Sequence, residues 1–571
     1  MQRLLVILLL VVLYGAILPF SSAQEPQRPR TVLPTAPATA PLPVDTPDAS
    51  PRVVPARSAS APRSLAELRS QIEQITRQPA LEPGFFAVKI VSLDTGAIIY
   101  EQNANKFVRP ASNMKLYTVA AALDRLTPDY HFVTSVYAQD KPDKSGTIKG
   151  DLIVYGRGDP SIAARFNNGD YFKGINDLAD RIVAAGVKHV RGDLVGDESY
   201  FNGAPLGSGW EWEDLTWSYG APVSALTIND NSIDLTVKAG DKVGAPVVIT
   251  TGPPVTFMTI SNRATTSAAA SKSDLNIYRG LGANTLEITG SVPLGTTGFN
   301  GSVAIPDPAL AFVTMLRDAL VKRGVKLEGR VRTVNARSGG SIIPRGVAAL
   351  VHISEAPPPF EIASSQSPPF SVIAAHTLKP SQNLYTELIL RTLGETPIVV
   401  PVNRKDVPGG LSELGNVSVL GNVAEETSEE GGLTIVTNFL KQAGVSDSDL
   451  ALNDGSGLSR NDLISANTSV QLLTFMSRHK YFAQFRDALP IAGVDGTLRA
   501  RMKGTPAEGN LRAKTGSLSS VASLSGYVTS ASGEHLVFSM MLNNYPDAGA
   551  LRRDSIDAIA ILLASFTGKS Q

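Results

Sequence analysis

The 571-residue chain contains no cysteine. Disulfides, a thiol nucleophile, thiolate metal sites and a lipidated N-terminal cysteine are thereby excluded. Histidine is scarce, six in all, and scattered without H-E-x-x-H or comparable ligand spacing. No metal and no other cofactor is expected. Net charge is missing too: 52 Lys and Arg balance 52 Asp and Glu. That removes the electrostatic case for nucleic acid or an anionic membrane surface as a partner. Only three tryptophans occur, at Trp210, Trp212 and Trp217. They read as packing residues of one segment, with contact to a larger wall-like ligand as the alternative.

What is present begins with an export signal. Gln2-Arg3 is a short basic region, residues 4–19 are nearly all apolar, and Ser21-Ser22-Ala23 supply small residues before Gln24. This pattern predicts a signal peptide over 1–23, with an uncleaved N-terminal anchor as the alternative. Either way the functional part is exported. Residues 24–63 are rich in Pro, Ala, Thr and Ser without an apolar period, as in an extended tether. The remaining length can bury more than one core.

Ser64-x-x-Glu67 predicts a capped helix, followed by a strand at 85–93, a turn at Asp94-Thr95-Gly96 and a second strand at 97–101. A helical period (Met114, Leu116, Val119, Ala120, Leu123) follows. From 131 to 353 the texture changes to short β-branched runs with helices expected at 174–185 and 308–324. The span 237–302 has almost no helical pattern and is a candidate nested β module. Beyond 353 helices are expected at 380–393, 431–444 and 465–479. Strands follow at 511–517, 521–529 and 535–542, then a helix at 550–566. The pattern predicts an α+β domain with an antiparallel sheet flanked by helices, formed by 64–130 and 354–571. A large, mostly-β insert at 131–353 splits it.

Ser112 and Lys115 stand one turn apart at the start of the 114–123 period, on one helix face. A serine hydroxyl is a weak nucleophile until a neighbour takes its proton, and a lysine can do so only when neutral. At an ordinary pKa of about 10.4, roughly one lysine in two thousand is neutral at pH 7. Burial would have to lower that pKa by about 3 units, or about 4 kcal/mol. The same spacing in Ser477-Arg478-His479-Lys480 reads as a solvated helix end. Two further triplets give Ser112-x-x-Lys115 its weight. Ser381-Gln382-Asn383 follows Pro380 at a helix start, and Lys514-Thr515-Gly516, then Ser517, sits on an expected edge strand.

In that order S-x-x-K, S-x-N and K-T-G resemble the penicillin-recognising serine enzymes. Further stretches narrow the resemblance: PASNMK (110–115), GDPS (158–161), GDLVGDESYF (192–201), GWEWED (209–214), DGSGLSR (454–460), LPIAGVDGTL (489–498) and AKTGSL (513–518). Together with the large insert they resemble the class C, penicillin-binding protein 4 type D-alanyl-D-alanine carboxypeptidase/endopeptidases. The resemblance spans residues 64–568. It implies a periplasmic enzyme that trims D-Ala ends and crosslinks of peptidoglycan stem peptides and is acylated by β-lactams. A homodimer stays open.

The resemblance implies Ser112 as nucleophile with Lys115 as base, although the base of this superfamily is disputed. It further implies Ser381 as proton carrier to the leaving amine and Asn383 as a grip on the substrate backbone. Lys514 and Thr515 would hold the terminal carboxylate. Gly516 would keep the edge strand open for an added peptide strand. Backbone N–H groups of Ser112 and Ser517 would hold the oxyanion. In members that prefer meso-diaminopimelate, the positions of Asp214, Tyr219 and Arg460 line the side-chain pocket; some carry Gln where this chain has Ser519. Gly455 and Gly457 read as tight-turn formers. The competing readings are a β-lactamase-like enzyme or D-amino-acid esterase or amidase on the same fold, and a non-catalytic cell-wall-binding protein.

Overall fold

The computed structural model describes residues 61–254, 256–338, 359–396, 399–401, 417–419, 426–545 and 550–571. The expected signal peptide, nearly all of the tether and most of residues 397–425 lie outside the described residues. No helix among the described residues is long and apolar enough to cross a membrane.

A five-stranded antiparallel sheet organises the site. Its strands are β1 (Phe85–Ser92), β2 (Ile98–Gln102), β3 (Arg512–Leu518), β4 (Val521–Thr529) and β5 (His535–Asn543), in the order β2-β1-β5-β4-β3. The two ends of the chain therefore share one sheet, with β1 beside β5. Alternation along each strand sorts side chains to two faces. Phe86, Val88, Phe538 and Met540 pack against α1 (Leu65–Thr76) and the C-terminal helix Leu551–Ser565. Ala87, Val537 and Met541 face the opposite layer.

That second layer is built around α2 (Met114–Leu126), which is buried on nearly every side. Two helices of the central segment follow, α3 (Lys173–Ala184) and α4 (Pro308–Lys322). Around α2 stand α5 (Phe370–Leu378), α6 (Asn383–Glu395), α7 (Ser428–Gln442) and α8 (Ala466–Met476), joined in one apolar core by Leu116, Leu123, Ile389, Leu440 and Leu472. The fold is thus a helix–sheet–helix sandwich of the α+β class.

The segment between these parts forms its own sheets. One has the order 331–334, 194–197, 152–155, 133–138, 360–366. Phe360–Gln366 pairs with Val133–Ala138, so this sheet takes in residues past the expected boundary at 353/354. The expected nested module does not have a separate core. Val237, Leu286 and Ile288 belong to the same apolar cluster as Val154, Leu194 and Phe312.

Candidate active site

Ser112 sits in the single 3₁₀ turn Ala111–Asn113 that runs directly into α2. Ala111 before it has φ 49°, a left-handed conformation rare for a side-chain-bearing residue. The loop 454–460 clamps the turn. A Cβ on Gly457 would lie 1.9 Å from the Ala111 carbonyl oxygen, and Gly457 itself has φ 77°. Only glycine fits there.

Lys115 is fully buried. Its Nζ lies 2.9 Å from Ser112 Oγ and donates to Asn383 Oδ1 (2.6 Å) and the Ser456 carbonyl (2.7 Å). The last two atoms can only accept. A neutral amine has two N–H groups and one lone pair. With both N–H groups held, the lone pair is left for the Ser112 hydroxyl. Burial lowers the Lys115 pKa to about 7, against the upward pull of Asp454, Glu387 and Asp462. An amine poised near neutrality results.

Asn383 opens α6, and its Nδ2 donates to the Tyr219 carbonyl (2.9 Å). The amide expected to grip a substrate thus already positions Lys115 on one end and the Tyr219 segment on the other. It keeps one N–H and one lone pair in reserve. Ser381 precedes α6 at φ 65°, so the helix expected from 380 starts three residues later. Ser381 Oγ accepts from Lys514 Nζ at 2.8 Å, and the same amine donates to the Thr515 carbonyl at 2.8 Å. Thr515 Oγ1 shares a hydrogen bond of 2.7 Å with Thr497 Oγ1. Ser517 lies exposed on the same edge strand.

Gly516 also has a packing reason. A Cβ there would meet Ser523 Oγ at 2.2 Å and the Pro110 carbonyl at 2.8 Å. The glycine lets β3 close on the turn that holds Ser112.

Asp214, Tyr219 and Arg460 also come together. The Arg460 guanidinium is 3.8 Å from Asp214 and 2.8 Å from Glu211. Burial raises the Asp214 carboxyl to about 6, opposed by Arg460. Burial and the neighbouring Asp214 push the Tyr219 phenol upward. Tyr219 and Trp210 pack on Ala111, Leu458 and Leu518, so this pocket adjoins the serine turn. Trp212 is 57% exposed, not a packing residue, whereas Trp217 packs against Phe299.

Sequence reasoning assigned no role to Asp454, Glu387 or Glu211, and read Trp210 only as a packing residue or a ligand contact. Asp454 is fully buried and holds the loop together. It accepts from the backbone N–H groups of Ser456, Gly457 and Ser459, from the Ser456 hydroxyl and from the Trp210 indole. Glu387, mid-way along α6, accepts from Gly455 N–H. A buried-face acidic residue beside the apolar run Leu388-Ile389-Leu390, and an aspartate leading two closely spaced glycines, were the available signals.

The model of the D-Ala-D-Ala carboxypeptidase 3 (S13) family matches residues 68–421 and 417–565. The D-alanyl-D-alanine carboxypeptidase of Actinomadura sp. strain R39 is 33% identical over 568 residues, covering 96% of this chain and 94% of that protein. The D-alanyl-D-alanine carboxypeptidase DacB of Haemophilus influenzae is 26% identical over 467 residues, covering 81% of this chain and 85% of that protein. The crystal structure of penicillin binding protein 4 from H. influenzae has a TM-score of 0.67 at 24% identity, covering 86% of this chain and 97% of that one. The chain belongs to the D-Ala-D-Ala carboxypeptidase 3 (S13) family.

Proposed function

We propose that the chain performs its family's reaction, hydrolysis of the terminal D-Ala–D-Ala bond of peptidoglycan stem peptides, through an acyl-enzyme on Ser112. The observation that carries the assignment is the Lys115 amine, whose two accepting partners leave its lone pair for the Ser112 hydroxyl. Ser112 Oγ attacks the carbonyl carbon of the penultimate D-Ala while its proton passes to Lys115. The backbone N–H groups of Ser112 and Ser517 hold the oxyanion, each donor worth roughly 10²–10³ in rate. As the C–N bond breaks, Ser381 relays a proton to the departing D-Ala amine, and Lys514 with Thr515 holds that residue's carboxylate. Water then repeats the sequence on the ester.

The same chemistry cuts a crosslink when the departing amine belongs to a second stem peptide, so we assign endopeptidase activity as well. A strained β-lactam amide would acylate Ser112 by the same route. Asp214, Tyr219 and Arg460 form the pocket for the stem-peptide side chain, with Arg460 suited to a carboxylate and Asp214 to an ammonium. The N-terminal pattern agrees with export to the periplasm. The catalytic domain comprises 64–130 and the C-terminal part, with the sheet-rich segment from 131 inserted.

Digestion of purified muropeptide monomers and crosslinked dimers tests the reading. Free D-Ala from monomers and conversion of dimers to monomers are expected, both abolished by Ser112→Ala. An intact substrate profile after long incubation with folded enzyme would overturn it.

A further inference from the structure

The loop 454–460 touches both halves of the site. Its Ser456 carbonyl takes one of the Lys115 protons at 2.7 Å. Its Arg460 enters the side-chain pocket beside Asp214. One carboxylate shapes this loop. Asp454 Oδ1 accepts from the Ser456 and Gly457 N–H groups at 3.0 and 2.6 Å. Its Oδ2 accepts from Ser459 N–H at 2.7 Å, the Ser456 hydroxyl at 3.2 Å and Trp210 Nε1 at 2.9 Å. Every partner donates, so the oxygens face an arrangement built for an anion. Trp210 belongs to the segment that continues through Glu211 and Asp214 to Tyr219, and the Tyr219 carbonyl returns to Asn383.

We propose that Asp454 is the positioning residue that fixes Lys115 in place and charge, and that the Trp210 indole couples it to the segment lining the side-chain pocket. The inference rests on Lys115 acting as the base. Asp454 works at one remove, through the Ser456 carbonyl and through its own negative charge, which favours the ammonium form of Lys115. The other groups that face the lysine are Asp462, just past the same loop, and Glu387 on α6, with Arg391 and Glu429 behind them. Burial and the Asp454 charge hold both Asp462 and Glu387 well above the usual carboxylate range. Asp454 is the carboxylate that meets donors on both oxygens and holds the loop that carries the Ser456 carbonyl. A pocket that shifts Trp210 on binding its side chain would alter how Asp454 is solvated by donors, and so the readiness of Lys115.

The coupling predicts opposite movements from two conservative variants. Asp454→Asn removes the charge, so Lys115 deprotonates more readily and the acid limb of the penicillin acylation rate moves to lower pH, by about one unit or more. Its plateau falls about ten- to hundredfold as the loop loosens. Trp210→Phe keeps the ring's packing and deletes only the N–H donor. Asp454 then directs more of its field at Lys115, and the acid limb moves to higher pH. The measurement is the pH profile of acylation in the full-length wild type and both variants, with circular dichroism to confirm folding. Should Asp454→Asn fail to fold, the upward shift in Trp210→Phe alone decides. Lower plateaus with unmoved midpoints in the folded variants would reduce Asp454 to a loop-building role and overturn the proposal. A wild type with no acid limb at all would instead refute Lys115 as the base.

Discussion

Substituting Gly516 by alanine puts the fit between the edge strand and the turn that carries Ser112 under direct strain. The added methyl would lie 2.2 Å from Ser523 Oγ, 2.8 Å from the Pro110 carbonyl oxygen and 3.1 Å from Ala111 Cβ. Ser523 cannot simply rotate away. Its hydroxyl donates to that same Pro110 carbonyl at 2.8 Å, and the residue is 2% exposed. Turning it would leave that buried carbonyl with only the longer bond from the Asn113 N–H, 3.3 Å, at a cost of about 1 kcal/mol. The alternative is to push β3 off the turn by about 1 Å to restore ordinary contact distances. Either response costs about 1–3 kcal/mol of stability. The second also displaces the Ser517 N–H from Ser112, and a misplacement of that size costs about 10²-fold in rate. The assay is stopped-flow acylation by a chromogenic β-lactam, with a thermal melt alongside. Gly516→Ala is expected to acylate about a hundredfold more slowly with a lowered Tm. Adding Ser523→Ala relieves the shortest contact but not the one to Pro110, so recovery should be partial. Wild-type acylation and an unchanged Tm in Gly516→Ala would refute the claim that this glycine seats the strand on the turn.

Three further outcomes follow from the same geometry. With Lys115 held at about 7 and active when neutral, acylation should rise as pH increases, from about a tenth of its plateau at pH 6 to about nine-tenths at pH 8. Stopped-flow profiles against pH check this, and a rate still climbing toward pH 10 would contradict it. Asp214→Asn should lower kcat/KM about ten- to hundredfold for a stem peptide with a side-chain ammonium, and much less for one with a neutral side chain. Because the Asp214 carboxyl titrates at about 6, the wild-type preference should fade below that pH, measured by competition between the two peptides. Tyr385→Phe removes the hydroxyl that donates to Asp230, which also pairs with Arg165. A stability loss of about 1–3 kcal/mol is expected in chemical denaturation, with the acylation midpoint unmoved.

The split sheet was legible because its strands alternate with period two and its two halves each need partners. β4 matches the expected 521–529 span, and β1 and β5 differ from expectation by one residue at one end. The triplets were legible because each marks a place where backbone geometry is special, a helix start or a free edge. Helix α5 (Phe370–Leu378) was missed since its apolar residues surround it and leave no period to read. Residues 189–197 form two short strands, His189–Val190 and Leu194–Asp197, parted by Arg191-Gly192-Asp193. Phe360–Gln366 went unrecognised because its partner, Val133–Ala138, lies more than two hundred residues earlier. The hidden part of the site has the same cause. The Trp210 indole reaches Asp454 across 244 positions and Glu387 reaches Gly455 across 68. No local pattern records such a bond. In the Ser477–Lys480 stretch, Arg478 and Lys480 are exposed as expected, but His479 is tucked against Asp124 at 3.1 Å.

Acylation of one serine is the centre of the account, and intact-protein mass spectrometry after exposure to a fluorescent penicillin tests it most directly. The wild type should gain the mass of one penicilloyl group, located on the peptide that contains Ser112. Ser112→Ala, folded by circular dichroism, should gain none. Label retained in Ser112→Ala, or found on another residue of the wild type, would contradict the assignment of the nucleophile and the proton path through Lys115 together.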